Sequence, residues 1–170
     1  MELRLTTITG MIVFAALTRL LPHPPNATAV SAIALFAGAQ LSDRRLAFLV
    51  PLAALFLTDL VLGLHQGMVF VYACVAAMVL VGAALGERPN MLKLAGASLA
   101  GSVLFFIVTN FSVFLFDGLY AQSLSGLAEC YVAAIPFFHN TALGDLFFTG
   151  ALFGGFELLR RAVPALSPAH

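Results

Sequence analysis

The residues able to do chemistry are few in this chain and lie far apart. His23 stands inside Pro22-His23-Pro24-Pro25-Asn26. Prolines fix φ, so this run can hold the His23 imidazole and the Asn26 amide over a ligand at low entropic cost. Its plainer role is a helix stop. Asp59 and Asn110 interrupt long apolar runs. Polar groups in such runs are costly and face a partner or a cavity. For Asp59 the two readings are a ligand contact or a pairing with Arg19. His65 sits in the turn His65-Gln66-Gly67, with Tyr72 shortly after it. Cys74 lies two helical turns, roughly 10 Å, beyond Gly67. A thiolate at that depth can hold a soft or borderline metal, or the side chain is simply a small buried hydrophobe. His139-Asn140 precedes a last apolar run, with Asp145 expected in the first turn of its helix, complementing the dipole.

Several chemistries are missing. The chain has no Gly-rich phosphate loop with a lysine, no HExxH and no GxSxG pattern. It is therefore expected not to hydrolyse nucleotides itself. Formal net charge is zero, which leaves no basic face for nucleic acid. Two cysteines, Cys74 and Cys130, are too few for a disulfide framework.

The elements that position these residues follow from composition. Of 170 residues, 61% are apolar and 9% charged, with a mean hydropathy of +1.02. A soluble domain is about a quarter charged. A chain this poor in charge cannot clothe itself for water, and a bilayer is the solvent that suits it. Proline, glycine and charge clusters divide it into six expected spans, at 5–21, 28–41, 46–64, 68–86, 91–116 and 142–161. The apolar stretch 5–21 lacks a small-residue cleavage site and reads as a retained span. The segment 117–141 carries Glu129, Pro136, His139 and Asn140. Its apolar run is about 12 residues, too short to span, and suits an interfacial or re-entrant helix. The expected fold is thus an all-α membrane protein. It is a compact bundle of six transmembrane helices in one domain over 1–170, with a short interfacial helix between helices five and six.

Charge placement supports that count. Six spans put Arg4, Arg44, Arg45, Arg88, Lys93, Arg160 and Arg161 on one side and Arg19 alone on the other. By the positive-inside rule the first side is the cytoplasm, with both termini in it. A seventh span would move Arg160 and Arg161 across. The same topology gathers His23, Asn26, Asp59, His65, Asn110, His139 and Asp145 at the outer face, with His170 the remaining histidine. That is the layout of a binding cup, with few polar groups over apolar walls. Small-xxx-small pairs such as Gly82/Gly86, Gly96/Ala100 and Gly150/Gly154 allow close helix contact. No internal repeat of the inverted-transporter kind is visible.

Three segments carry a resemblance that covers nearly the whole chain. They are Arg19-Leu-Leu-Pro-His-Pro-Pro-Asn26 with Ala32–Gly38, Thr58-Asp59 with Leu62–His65 and Val71-Tyr72, and Cys130–Asp145. Together they resemble the substrate-binding S components of energy-coupling-factor transporters, small six-helix proteins of the bacterial cytoplasmic membrane. The resemblance implies a vitamin or metal captured at the outer face, with His23, Asn26, Asp59, His65, Tyr72, Asn110 and His139 as its contacts. A cysteine low in the cup is similar to the solitary cobalamin transporters. It implies cobalamin as the transported ligand, not a prosthetic group, with Cys74 on cobalt and thiol-assisted loss of the opposite axial ligand. Family members dock on a coupling subunit and its ATPases through an Ala-xxx-Ala patch in the first helix. Here Gly10–Thr18 has no such pair, so shared or solitary action both stay open. The rivals are a small membrane haem or redox protein using His23, His65 and His139, and an accessory subunit without a ligand.

Overall fold

The computed structural model describes residues 2–167. Helix α1 spans Glu2–Leu17 and runs into a 3-10 turn at Thr18–Leu20. Then follow α2 (Val30–Gln40), α3 (Arg44–Leu62), α4 (Met68–Leu85), α5 (Met91–Phe116) and α6 (Leu124–Ala162). A last 3-10 turn covers Pro164–Leu166, and no strand occurs among the described residues. Local chemistry sets the starts. The side chains of Asp43, Asn90 and Ser123 accept backbone N–H bonds from the first turns of α3, α5 and α6. Gly63 (φ 106°) and Gly86 (φ 73°) terminate α3 and α4 in conformations that need glycine.

Five of the helices are long and apolar enough to cross a membrane: α1 with its 3-10 turn, α3, α4, α5 and α6. Helix α2 is different. Its 11 residues make about 16 Å, near half of a ~30 Å hydrocarbon layer. Every residue from Val30 to Gln40 is buried, and α2 touches all five other helices. Being apolar all round, it belongs at the centre of the bundle. Small residues let it sit there. A Cβ on Gly38 would collide with the Val79 carbonyl oxygen, and one on Gly82 with the Leu35 carbonyl oxygen. The α2 and α4 backbones therefore touch at a reciprocal pair of glycines. Lower down, Phe36 packs edge-on against Phe153 and Phe156, with ring centroids 5.2 and 5.6 Å away.

One end of the bundle is polar and basic. Arg4 pairs with Glu87 at 3.0 Å, and Gln40 Nε2 donates to the Glu87 carbonyl at 2.8 Å. These contacts bring the start of α1 to the ends of α2 and α4. Helices α3 and α5 start at this end and α6 finishes there, so seven of the eight Lys and Arg residues collect at it. Arg19 is the one at the opposite end.

The segment before the last span differs from expectation. No separate interfacial helix forms. Instead α6 runs unbroken for 39 residues, about 58 Å, through Pro136, His139 and Asn140. The supposed breakers explain why. Glu129, Pro136 and His139 all lie on exposed positions of α6, so neither the charge nor the missing N–H is trapped against the bundle. Thr141 and Asp145 are consequently mid-helix residues, and Asp145 cannot cap a helix start.

The glycine contact yields a direct test. Gly38→Val or Gly82→Val should lower stability by about 2–3 kcal/mol through overpacking. Gly10→Ala and Gly96→Ala, which meet open space, should stay within about 0.5 kcal/mol. Thermal melting in detergent with a thiol-reactive dye reads this directly, since Cys74 and Cys130 are both free and buried.

Candidate functional site

Because α2 begins only at Val30, the end of the bundle remote from the arginine cluster is not filled. A cavity of about 340 Å³ remains there. Its floor is the start of α2, at Val30 and Ser31, and Thr28 lies just before. Helix α5 supplies Phe105, Phe106, Thr109 and Asn110, and α6 supplies Ala134, Thr141 and Asp145. Arg19, His23 and Asn26 close over it from the loop after α1. That loop is fixed by backbone bonds from Ala27 N to the Pro24 carbonyl and from Thr28 N to the Asn26 carbonyl. Asn26 itself takes a left-handed φ of 64°, which asparagine tolerates. Gly144 admits Ala27 against α6; a Cβ there would lie 3.0 Å from the Ala27 Cα.

Two carboxylates lie at this end, in opposite situations. Asp59 is 3% exposed and fully engaged. Arg19 Nη2 contacts its Oδ1 at 2.8 Å, and the Tyr72 hydroxyl donates to its Oδ2 at 2.9 Å. Arg19 also donates to the Thr58 hydroxyl, binding the loop after α1 to α3 and α4. Asp59 does not line the cavity; the Arg19 pairing is what the structure shows. Asp145 is 2% exposed and does line it. It accepts a hydrogen bond from Ser102 Oγ at 2.7 Å and has no salt bridge within 4 Å among the described residues. The bare N-terminus of α2, whose first turn has no side-chain cap, lies beside it at the same floor. The helix dipole there favours a negative charge. Thr28, Ser31, Thr109 and Thr141 bring hydroxyls to the wall. Asn110 donates its amide to the Phe106 carbonyl at 2.7 Å, leaving its carbonyl oxygen as an acceptor.

The expected site residues therefore divide. His23, Asn26 and Asn110 meet at the cavity. Tyr72 and Asp59 stand behind its wall as supports for Arg19. His65 and His139 are exposed and line nothing here. Cys74, expected on the floor as a cobalt ligand, is 2% exposed within the bundle and does not line the cavity; Val71, one turn earlier, is the α4 residue that does. Among the described residues no group of three or more His, Cys, Asp or Glu could hold a metal ion. Arg19, Ser31 and Thr109 were not expected as lining, and Asp145, gathered at the outer face, was expected as a helix-start residue and not as a wall contact. A signal for Asp145 was present: it is the single formally charged residue between Glu129 and Glu157.

The Arg19–Asp59 pair is open to measurement. Asp59→Asn strands a guanidinium that is 14% exposed and should cost about 3 kcal/mol. Tyr72→Phe should cost about 1 kcal/mol. Combining Arg19→Gln with Asp59→Asn should cost clearly less than the two single changes added, as read by a double-mutant cycle of melting curves.

No curated protein and no solved structure matches the chain. A family model does match, over residues 1–166, and its description is a family of unknown function, DUF6580. The chain, along nearly its whole described length, belongs to that family.

Proposed function

We propose that this protein is a multi-pass membrane protein that captures a small polar solute in the cavity above α2. The observation that carries the reading is Asp145, a buried carboxylate on the cavity wall with no cation assigned to it. Buried charges are paired, or wait for a partner. Around it the cavity presents hydroxyls, the amides of Asn26 and Asn110, the His23 imidazole, the Arg19 guanidinium already paired with Asp59, and the apolar faces of Phe105, Phe106 and Val71. That mixture fits a solute with an apolar body and at least one cationic or hydrogen-donating nitrogen.

The arginine distribution supports the orientation. With the basic end in the bacterial cytoplasm, the cavity opens outward and both ends of the chain lie inside. A solute-capturing component of an uptake transporter has this layout, as the resemblance to S components implies. The absent Ala-xxx-Ala patch still leaves solitary action or docking on a coupling subunit as the two modes.

The solute is small. A volume of about 340 Å³ lies at the lower end of the ~300–1,000 Å³ typical of ligand sites. A corrinoid is far larger and would have to displace the loop after α1. Cys74 would also need to turn out of its packing to meet cobalt. A small vitamin or amine therefore suits the cavity better than cobalamin. A haem reading has, among the described residues, His23 as its one lining imidazole.

The test is a thermal-shift screen of the detergent-purified chain against water-soluble vitamins, small amines and cyanocobalamin, the last followed also by absorbance. One small solute should stabilise the protein, by about 2.7 kcal/mol at a hundredfold excess over Kd. Asp145→Asn should weaken that solute about tenfold or more, and Thr109→Phe should abolish binding by filling the cavity. A corrin that co-elutes with a spectrum dependent on Cys74 would instead restore cobalamin. If no solute shifts the melt and none co-purifies by mass spectrometry, the capture reading is lost to a ligand-free accessory role.

A further inference from the structure

A second cavity, of about 320 Å³, lies at the basic end between the start of α5 and the end of α6. Its polar rim is Glu87, Arg88, Glu157 and Arg160. Around it four arginines, Arg4, Arg88, Arg160 and Arg161, face two carboxylates. Arg4 is spoken for by Glu87, while Arg160 and Arg161 share Glu157. Arg88 is exposed and makes no ion pair among the described residues. Arg160 is only 7% exposed, yet its Nη1 is shut off from water with no acceptor among the described residues. A buried N–H without an acceptor is costly, and a charged one more so. The rim thus holds one half-satisfied buried guanidinium beside one free exposed guanidinium.

The rest of the wall is apolar. Met91, Leu94 and Phe153 line it, and Gly150 and Gly154 leave open space over the α6 backbone. From Glu157 back to Gly150 this trough runs about 10 Å along the helix. Two rim guanidiniums not fully matched by Glu87 and Glu157, which also pair with Arg4 and Arg161 nearby, stand above an apolar trough and are complementary to one kind of molecule, a lipid with an anionic headgroup.

We propose that this cavity binds an anionic phospholipid, its phosphate held between Arg88 and Arg160 and an acyl chain lying over Gly150 and Gly154. Two guanidiniums offer the forked donors that phosphate oxygens accept. The site is independent of the solute cavity and occupies the opposite end of the bundle.

Native mass spectrometry of the full chain, released from mixed phosphatidylglycerol and phosphatidylcholine micelles, tests this. Wild type should retain one phosphatidylglycerol with about tenfold preference over phosphatidylcholine. Arg88→Gln, at an exposed position, should erase the preference without moving the melting temperature, and Arg160→Gln should erase it too. Lys93→Gln, at the same end but off the cavity, should keep it. Millimolar inorganic phosphate should leave the bound lipid in place. Equal retention of the two lipids, an unchanged preference in Arg88→Gln, or displacement by inorganic phosphate would each overturn the proposal.

Discussion

The burial of one short helix organises this protein. Helix α2 has water or lipid on no side, so every residue of it must fit a protein neighbour. Five helices can close around one only if some backbones approach closely, and Gly38 and Gly82 meet that demand where α2 crosses α4. Alanines at 32, 34, 37 and 39 keep the rest of its girth small. The cavity above Ser31 is a direct result of the same constraint. The long neighbours continue past the point where α2 begins, and the proline-stiffened loop after α1 lines the space they leave.

Charge follows the same geometry. At the basic end Arg4 pairs with the Glu87 side chain just past α4, and Gln40, the last residue of α2, donates to the Glu87 backbone carbonyl, so the ends of α1, α2 and α4 are joined by polar contacts. At the other end Arg19 is drawn down onto Asp59 and Tyr72 and fixes the roof loop to α3 and α4. Among the described residues Asp145 has no such counter-charge. Ser102 and the start of α2 stabilise its carboxylate only in part, since a hydroxyl and a helix dipole supply fractional charge. One acid is structural and the other is available, although both interrupt apolar runs in the same way.

That difference marks the limit of what the residues reveal in order. The helix positions were legible, because proline, glycine and charge clusters punctuate long apolar runs; α5 has the expected bounds of 91 and 116. The gathering of His23, Asn26 and Asn110 at one cavity followed from alternating helix direction alone. Three things were not legible. The apolar run of α2 looks like a short span, because hydropathy does not distinguish lipid from protein as a neighbour. The signals at Glu129, Pro136 and His139 read as breaks, because sequence does not say which face of a helix is outward. The third is which face of α4 carries Cys74: its side chain packs into the bundle and does not line the cavity, and the sequence does not say which way a residue inside a uniformly apolar helix points.

The shortness of α2 has an electrical consequence. Between Ser31, on the cavity floor, and Gln40, in the polar cluster, lie about 14 Å of helix. Set in a bilayer with a ~30 Å hydrocarbon layer, the protein would admit water and charge to both ends of α2, and the membrane potential would fall mainly across that thinner layer. The field there would be about twice as steep as across plain lipid. In the orientation proposed above, a cation held at Asp145 would sit at the outer edge of this focused field, and an inside-negative potential would draw it inward along α2.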